Sequence, residues 1–461
     1  MSTTLSVVSD NFPIQEGTLL ASKTSCYEVQ AFLGEGSFGR VVKCVDIVTS
    51  TQVAIKITRD KPFLAERALE EIKILKKLWT LDPDKCSLVR WNGSFFHERF
   101  ICLEFELLDQ SLHEYTQQRQ DQPLSMAEIR PVIHQLTTAL LHLDDLRILH
   151  GDLKPENIMI VDRKQQPLQV KLIDFGLARH VSDAVPGSCV QSLWYRAPEV
   201  MLGMCFAEPI DMWSLGLVAA ELAVGFPLFP GLHEYDMMKF IVNTLGQPPD
   251  YQLNSALKSS CFFRFDSSFK QQTWRLKSPE EFARETGHHF TDTRCYPFTS
   301  LDVFKGVMCF RNTAKENEVQ NFINLLKKML LVDKHNRIIP LKVLEHPFFS
   351  VDQHTDSSQN KNVKNLTVDM EETRPNIVTL QPSSLKKTVC SVEPVATESM
   401  TPHQETVFTQ AENVFAWLED EEDEEAHVQS EVVVEISSES EACVHAFFKR
   451  VIEAFSSCFQ W

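Results

Sequence analysis

Between His150 and Asn157 the chain reads His-Gly-Asp-Leu-Lys-Pro-Glu-Asn, and seventeen residues further on it reads Asp174-Phe175-Gly176. These residue types suit transfer of the terminal phosphate of a nucleoside triphosphate to a hydroxyl. That chemistry needs a carboxylate to position the hydroxyl and take its proton, a cation near the moving phosphoryl, and oxygen ligands for metal ions. Asp152, Lys154, Asn157 and Asp174 supply those four parts. Either motif alone arises often by chance, so the weight rests on order, spacing and what must hold these residues in place.

Upstream, Leu33 is followed by Gly34-Glu35-Gly36-Ser37-Phe38-Gly39-Arg40-Val41. Residues without a Cβ let backbone fold close over phosphate oxygens and present its N–H groups. The same glycine spacing also marks dinucleotide-binding folds, where the third glycine opens a helix. Here Arg40 to Val48 is β-rich, Thr49-Ser50-Thr51 is turn-like, and Val53-Ala54-Ile55-Lys56 lies in a second β-rich run, which predicts a hairpin. A helical pattern follows from Ala65 to Leu78, with apolar residues at Leu69, Ile72, Ile74, Leu75 and Leu78. Glu71 on that helix is the candidate partner of Lys56, with Glu70 as the runner-up.

Downstream stand Ala197-Pro198-Glu199, Asp211-Met-Trp213-Ser-Leu-Gly216 and Arg337. The ordered set resembles the eukaryotic protein kinases from about Tyr27 to Phe349. The resemblance implies a two-lobed α+β fold, with a small lobe over about 27–108 and a large lobe over about 109–349, binding ATP and Mg²⁺ between them. It makes Asp152 the base, Lys154 the neutralising cation, and Asn157 and Asp174 the Mg²⁺ ligands. Lys56 held by Glu71 orients the phosphates beneath a lid formed by residues 33–41. Phe105 becomes the residue at the back of the adenine pocket, Glu106 to Leu108 the backbone that hydrogen-bonds the base, and Ala54 and Met159 further nucleotide contacts. Glu199 would pair with Arg337, and Asp211 would hold the catalytic-loop backbone. Lys154, two residues after the base, is similar to serine/threonine rather than tyrosine kinases.

Within that superfamily, Ile101 to Leu108, Asp152 to Met159, Glu234-Tyr-Asp236 and Trp274 to Gly287 resemble the homeodomain-interacting protein kinases. Residues from about 249 to 315 resemble the insert carried by the cyclin-dependent and MAP-kinase group. Two departures stand out. Where that family has Thr-Tyr-Leu-Gln-Ser, this chain has Ser188-Cys189-Val190-Gln191-Ser192, so a phosphotyrosine switch is lost; Cys189 reads as a packing cysteine and Ser188 as a remaining phosphosite. Gly151 stands where many kinases carry an arginine that receives an activation-loop phosphate, and a phosphate needs such a partner to order a loop. The expectation is a segment ordered by packing alone, or poorly ordered.

The net charge of −18 is uneven: Ser350 to Trp461 holds 7 Lys plus Arg against 21 Asp plus Glu, a net −14. Residues 350–430 read as a disordered acidic linker that contains seven consecutive acids, Glu419 to Glu425, which disfavours direct nucleic-acid binding. The 12 cysteines are dispersed without metal or disulfide rhythm, suggesting reduced thiols and a nuclear or cytoplasmic protein. Residues 1–26 read as an N-terminal extension without a secretory pattern, and no apolar run reaches the roughly 18 residues of a membrane span.

Two tail segments suggest association. Within 431–441, Val432, Val433, Val434 and Ile436 followed by serines and acids resemble a SUMO-interacting motif, which adds a strand to a sheet edge while acids meet a basic rim. Residues 442–461 place Val444, Phe447, Phe448, Val451, Ile452, Phe455 and Phe459 on one helical face, a candidate partner helix. Val414 to Leu418 is a shorter apolar docking candidate. The leading reading is a serine/threonine protein kinase acting on protein hydroxyls; the competing one is a pseudokinase scaffold that recruits sumoylated partners.

Overall fold

The structure, a computed structural model, describes residues 14–36, 39–58, 61–266, 273–310 and 315–350. Ser37 and Phe38 of the glycine-rich loop, the acidic linker, the SUMO-like motif and the 442–461 segment lie outside the described residues.

The β-rich runs form one antiparallel sheet of six strands, β1 (Leu19–Ala21), β2 (Cys26–Gly36), β3 (Gly39–Asp46), β4 (Gln52–Thr58), β5 (Trp91–His97) and β6 (Phe100–Glu106), in the order β1-β2-β3-β4-β6-β5. The sheet therefore reaches upstream of Tyr27. Alternation gives it two apolar faces. Val42, Cys44, Val53, Ile55 and Ile57 pack with Leu20, Tyr27, Val29 and Phe100 in one cluster. On the other side Ile101 and Leu103 join Ile72 and Leu75 of helix α1 (Pro62–Leu78), which inserts between β4 and β5. Leu69, expected on that apolar face, is 46% exposed instead.

The large lobe begins with β7 (Gln110–Ser111), α2 (Leu112–Gln118) and α3 (Met126–Asp145). Both helices start with a capping box, Ser111 with Glu114 and Ser125 with Glu128, which satisfies first-turn N–H groups. Strands β8 (Ile148–Leu149), β9 (Ile158–Asp162), β10 (Gln166–Leu172) and β11 (Arg179–His180) follow, with pairings β10-β9-β7 and β11-β8. Catalytic-loop residues 150–157 thus leave β8 and enter β9, while Asp174 follows β10. Helices α4 (Pro198–Met201), α5 (Pro209–Val224) and α6 (Glu234–Leu245) come next. Helix α5 is buried nearly all round, so its apolar residues form the middle of the lobe. A hairpin pairing Phe263–Asp266 with Thr273–Leu276 and a capped helix Pro279–Thr286 occupy the insert, and Glu316–Met329 packs against α5.

Candidate active site

The hairpin register sets the nucleotide side of the sheet. Gly34 pairs with Val41, which pairs with Lys56, and Ala54 pairs with Phe105. Leu33 is exposed and Val41, Ala54, Phe105, Leu108 and Met159 are half-buried. Phe105 is half-buried rather than fully enclosed. The N–H of Glu106 donates to the Arg90 carbonyl at 3.1 Å. Glu106 also accepts from Lys171 at 2.6 Å through its side chain. A Cβ at Gly34 or Gly36 would meet nothing within 4 Å, whereas one at Gly39 would collide with the Ile57 carbonyl. Gly39 is thus required by close strand packing, and Gly34 and Gly36 leave room above the cleft. Arg40 bonds Glu35 at 3.1 Å across the hairpin.

Lys56 donates to both carboxylate oxygens of Glu71 at 2.9 Å and to Asp174 Oδ1 at 2.7 Å. Glu70, the runner-up, instead faces solvent and pairs with Lys73, so Glu71 is the partner of Lys56. Burial works against the Lys56 charge, but Asp174 and Glu71 outweigh it and hold the ammonium above its ordinary value. Burial would likewise raise Asp174, yet Lys56 and the Gly176 N–H bring its carboxyl down to about 2. Glu71 is pushed up by burial, with Lys56 opposing. The Asp174 backbone sits at φ 60°, an unusual left-handed conformation for a non-glycine residue, and this kind of strain clusters at functional sites.

Asp152 is 8% exposed and held on both carboxylate oxygens. Its Oδ2 receives Asn157 Nδ2 at 2.9 Å and lies 3.0 Å from Lys154 Nζ. Its Oδ1 accepts from the Ser192 hydroxyl at 2.7 Å and the Ser192 N–H at 3.2 Å. Lys154 Nζ in turn donates to the Ser192 oxygen at 2.8 Å. Ser192 was not singled out by sequence, since a serine five residues before Ala197 carries no distinguishing type. It ties Asp152 and Lys154 to the segment that runs into α4.

The bracing is equally direct. Asp211 accepts from the N–H of His150 at 2.6 Å and of Gly151 at 2.9 Å. Arg337 forms a fork onto Glu199 at 2.6 and 2.9 Å, with side chains 0% and 2% exposed. Gly151 sits at φ +76°, and a Cβ there would lie 3.1 Å from the Leu177 carbonyl, so the glycine has a backbone role of its own.

The activation segment is held without a phosphate. Gln191, 2% exposed, donates from its amide to the Ile210 carbonyl at 3.0 Å and Ser214 Oγ at 2.8 Å. Its amide oxygen accepts from the Ala197 N–H at 2.9 Å, and its own N–H donates to the Gly151 carbonyl at 2.7 Å. Trp194 donates to the Gly231 carbonyl at 3.0 Å, and Arg196 pairs with Glu234 at 2.8 Å. Cys189 is exposed, not a packing residue, and its sulfur lies 3.2 Å from an Arg196 nitrogen.

Among the described residues no cluster of three or more His, Cys, Asp or Glu is arranged to hold a metal. The donor set nevertheless fits Mg²⁺, which is commonly held by one or two protein oxygens and completed by phosphates and water. Asn157 spends its amide NH₂ on Asp152, which leaves its oxygen as the ligand end, and Asp174 is held ionised.

A two-lobed fold with a Lys56–Glu71–Asp174 cluster drawn from β4, α1 and the residues after β10, and Asp152 held between Asn157 and Lys154 after β8, is the arrangement of a protein kinase. The protein kinase domain pattern matches residues 27–349, and the chain belongs to that family. It is 42% identical over 367 residues to homeodomain-interacting protein kinase 2 of Mesocricetus auratus, covering 78% of this chain and 31% of that protein. To homeodomain-interacting protein kinase 1 of Caenorhabditis elegans it is 43% identical over 339 residues, 70% and 40% of the two chains. To homeodomain-interacting protein kinase 4 of Homo sapiens it is 39% identical over 349 residues, 72% and 56%. The chain thus spans about a third to just over half the length of these relatives. Among the described residues no helix is long and apolar enough to cross a membrane.

Proposed function

We propose that this chain is a serine/threonine protein kinase that transfers the γ-phosphate of ATP to protein hydroxyls, in the manner of the homeodomain-interacting kinases it resembles. The observation that carries the reading is the continuous constellation Glu71–Lys56–Asp174 and Asn157–Asp152–Lys154–Ser192. Asp152 accepts the proton of the incoming hydroxyl; the hydroxyl oxygen bonds to the γ-phosphorus as the bond to the β–γ bridging oxygen breaks, and ADP leaves with that electron pair. Lys154 neutralises the charge spread over the phosphoryl oxygens. Asn157 and Asp174 are the proposed Mg²⁺ ligands, and bound Mg²⁺ supplies charge neutralisation on the phosphates. Lys56, aimed by Glu71, contacts the α and β phosphates beneath residues 33–41, with Ala54, Phe105, Glu106, Leu108 and Met159 around the base.

The pseudokinase alternative drew its support from the altered activation segment. With Gln191, Ser192 and Arg196 fastening that segment to the catalytic loop and α6, the support falls away. The SUMO-like stretch Val432 to Ile436 is proposed to recruit sumoylated proteins, with a nuclear role as the associated address. Two assays test these readings. Purified chain with γ-labelled ATP and a serine/threonine-rich acceptor should give label on phosphoserine or phosphothreonine; transfer confined to tyrosine refutes the class. A peptide of residues 425–445 should bind SUMO saturably and lose binding on Val433→Ala with Val434→Ala; no saturation removes the SUMO claim.

A further inference from the structure

Lys171, three residues ahead of Asp174 on β10, is 1% exposed between Val170 and Leu172, which are both fully buried. An ammonium group is costly to take out of water unless other groups answer it. Here its Nζ donates to Asp84 Oδ1 and to Glu106 Oε1, each at 2.6 Å. Glu106 Oε1 also accepts from the Arg90 N–H at 2.6 Å, and Arg90 Nη2 donates to Asp84 Oδ2 at 2.6 Å. The four residues therefore close a ring, with Lys171 at its buried side.

The members of the ring come from three elements that the site needs in register. Asp84 and Arg90 lie in the loop after α1, the helix that carries Glu71. Glu106 ends β6 and opens the 106–108 backbone. Lys171 pairs with Met159 across β9 and β10, so both side chains leave the same face of that ladder. The backbone doubles the connection, because Leu172 donates to the Ser87 carbonyl at 2.9 Å and accepts from the Val89 N–H at 3.0 Å. With its N–H on Arg90 and its carboxylate on Lys171, Glu106 is held in one orientation before any ligand arrives.

The ring is poorly placed to stabilise the fold. Asp84 is exposed and keeps Arg90, while Glu106 is half-buried and keeps the Arg90 N–H. Removing Lys171 thus strands neither acid in apolar surroundings, the condition under which a broken buried pair becomes expensive. What the lysine fixes is direction. We infer that Lys171 is a positioning residue for nucleotide: it orients the 106–108 backbone against α1 and β10, and so sets the affinity for ATP without touching ATP. This role rests on the reading of residues 106–108 as the base-binding backbone.

The full-length chain is compared with Lys171→Met, Glu106→Gln and the double variant, by ATP and acceptor kinetics and by titration with a fluorescent ADP analogue and Mg²⁺. Lys171→Met should raise the Kd for the analogue and the KM for ATP by about three- to tenfold, the worth of one well-aimed hydrogen bond. The kcat and the acceptor KM should stay near the parent values, because Asp152, Lys154 and Asn157 are untouched. Glu106→Gln weakens the same contact from its other end and should act in the same direction, and the double variant should fall well short of the product of the two effects. A lysine that serves the fold alone would lower the thermal midpoint or the active fraction and leave the Kd unmoved, and that result overturns the role. Tighter nucleotide binding also overturns it, since the ring would then restrain the cleft, as do fully additive effects. Should Lys171→Met fail to fold, an unchanged Kd in Glu106→Gln overturns it. A parent chain that binds the analogue without transferring phosphate refutes the kinase reading, and the Kd comparison still decides on Lys171.

Discussion

Replacing Gln191 with alanine is expected to loosen the activation segment from within, and the size of the effect can be worked out from its contacts. The side chain bonds the Ala197 N–H and the Ile210 carbonyl in a region where Gln191 is 2% exposed and Ala197 is fully buried. Each buried polar group left without a partner costs about 1–3 kcal/mol. The Ser214 hydroxyl keeps its bond to the Tyr195 carbonyl at 2.8 Å, and so adds little. The sum over the two groups is about 2–6 kcal/mol. Gln191 also sits at φ 69°, where glycine avoids a strain of roughly 1–2 kcal/mol that alanine keeps. Gln191→Gly should therefore recover part of the stability lost by Gln191→Ala while leaving the same groups orphaned. Urea unfolding measures the loss. Amide exchange over residues 188–199 measures where it falls, and phosphotransfer should drop because Ser192, next in the chain, anchors Asp152. If Gln191→Ala shifts unfolding by less than about 0.5 kcal/mol, within the range of ordinary surface changes, and leaves exchange unaltered, the segment is held by something else and the reasoning fails.

Other perturbations follow from the same geometry. Arg337→Met strands the buried Glu199 carboxylate and should cost roughly 3–5 kcal/mol in chemical denaturation; a loss below about 1 kcal/mol would show that Glu199 finds another partner. Burial pushes the Glu221 carboxyl up to about 8 from 4.5, with the Tyr195 hydroxyl 2.7 Å away. The fold then holds a proton that the unfolded chain releases, so this group's contribution to stability declines as pH rises from 4.5 to 8. Glu221→Gln should flatten that part of the melting-temperature profile, and an unchanged slope counts against it. Gly151→Arg, which installs the residue many kinases have, should destabilise by about 1–2 kcal/mol because of its φ of +76° and the nearby Leu177 carbonyl. A variant as stable as the parent would restore the view that the position lacks only a phosphate receptor.

How much could be read from sequence follows a physical divide. Asp152, Lys154, Asn157, Asp174 and Lys56 were legible because phosphoryl transfer admits few residue types and the chain orders them in one way. Glu71 could be told from Glu70 because helical spacing assigns them to different faces. What hid from the sequence acts through conformation and long-range contact. Gln191 matters through a left-handed backbone and an amide buried under α5, and Ser192 through its approach to Asp152 across 40 positions. Lys171, in an apolar strand, is 1% exposed and bridges Asp84 and Glu106, a use no local pattern announces. Leu69 matched the apolar period yet faces outward, because α1 is covered on one side only. Cys189 was read as packing and proves exposed beside Arg196, since nothing in a tetrapeptide reports which way a loop residue turns.

The most direct test of the central claim is single-turnover transfer from γ-labelled ATP by the purified chain, beside Asp152→Asn and Lys56→Met, with nucleotide binding measured on all three. Loss of the base should slow transfer by about 10²–10⁴-fold while leaving nucleotide affinity nearly intact, and loss of Lys56 should abolish transfer through misplaced phosphates. An inactive parent chain that still binds ATP would contradict the account, as would transfer that Asp152→Asn leaves unchanged.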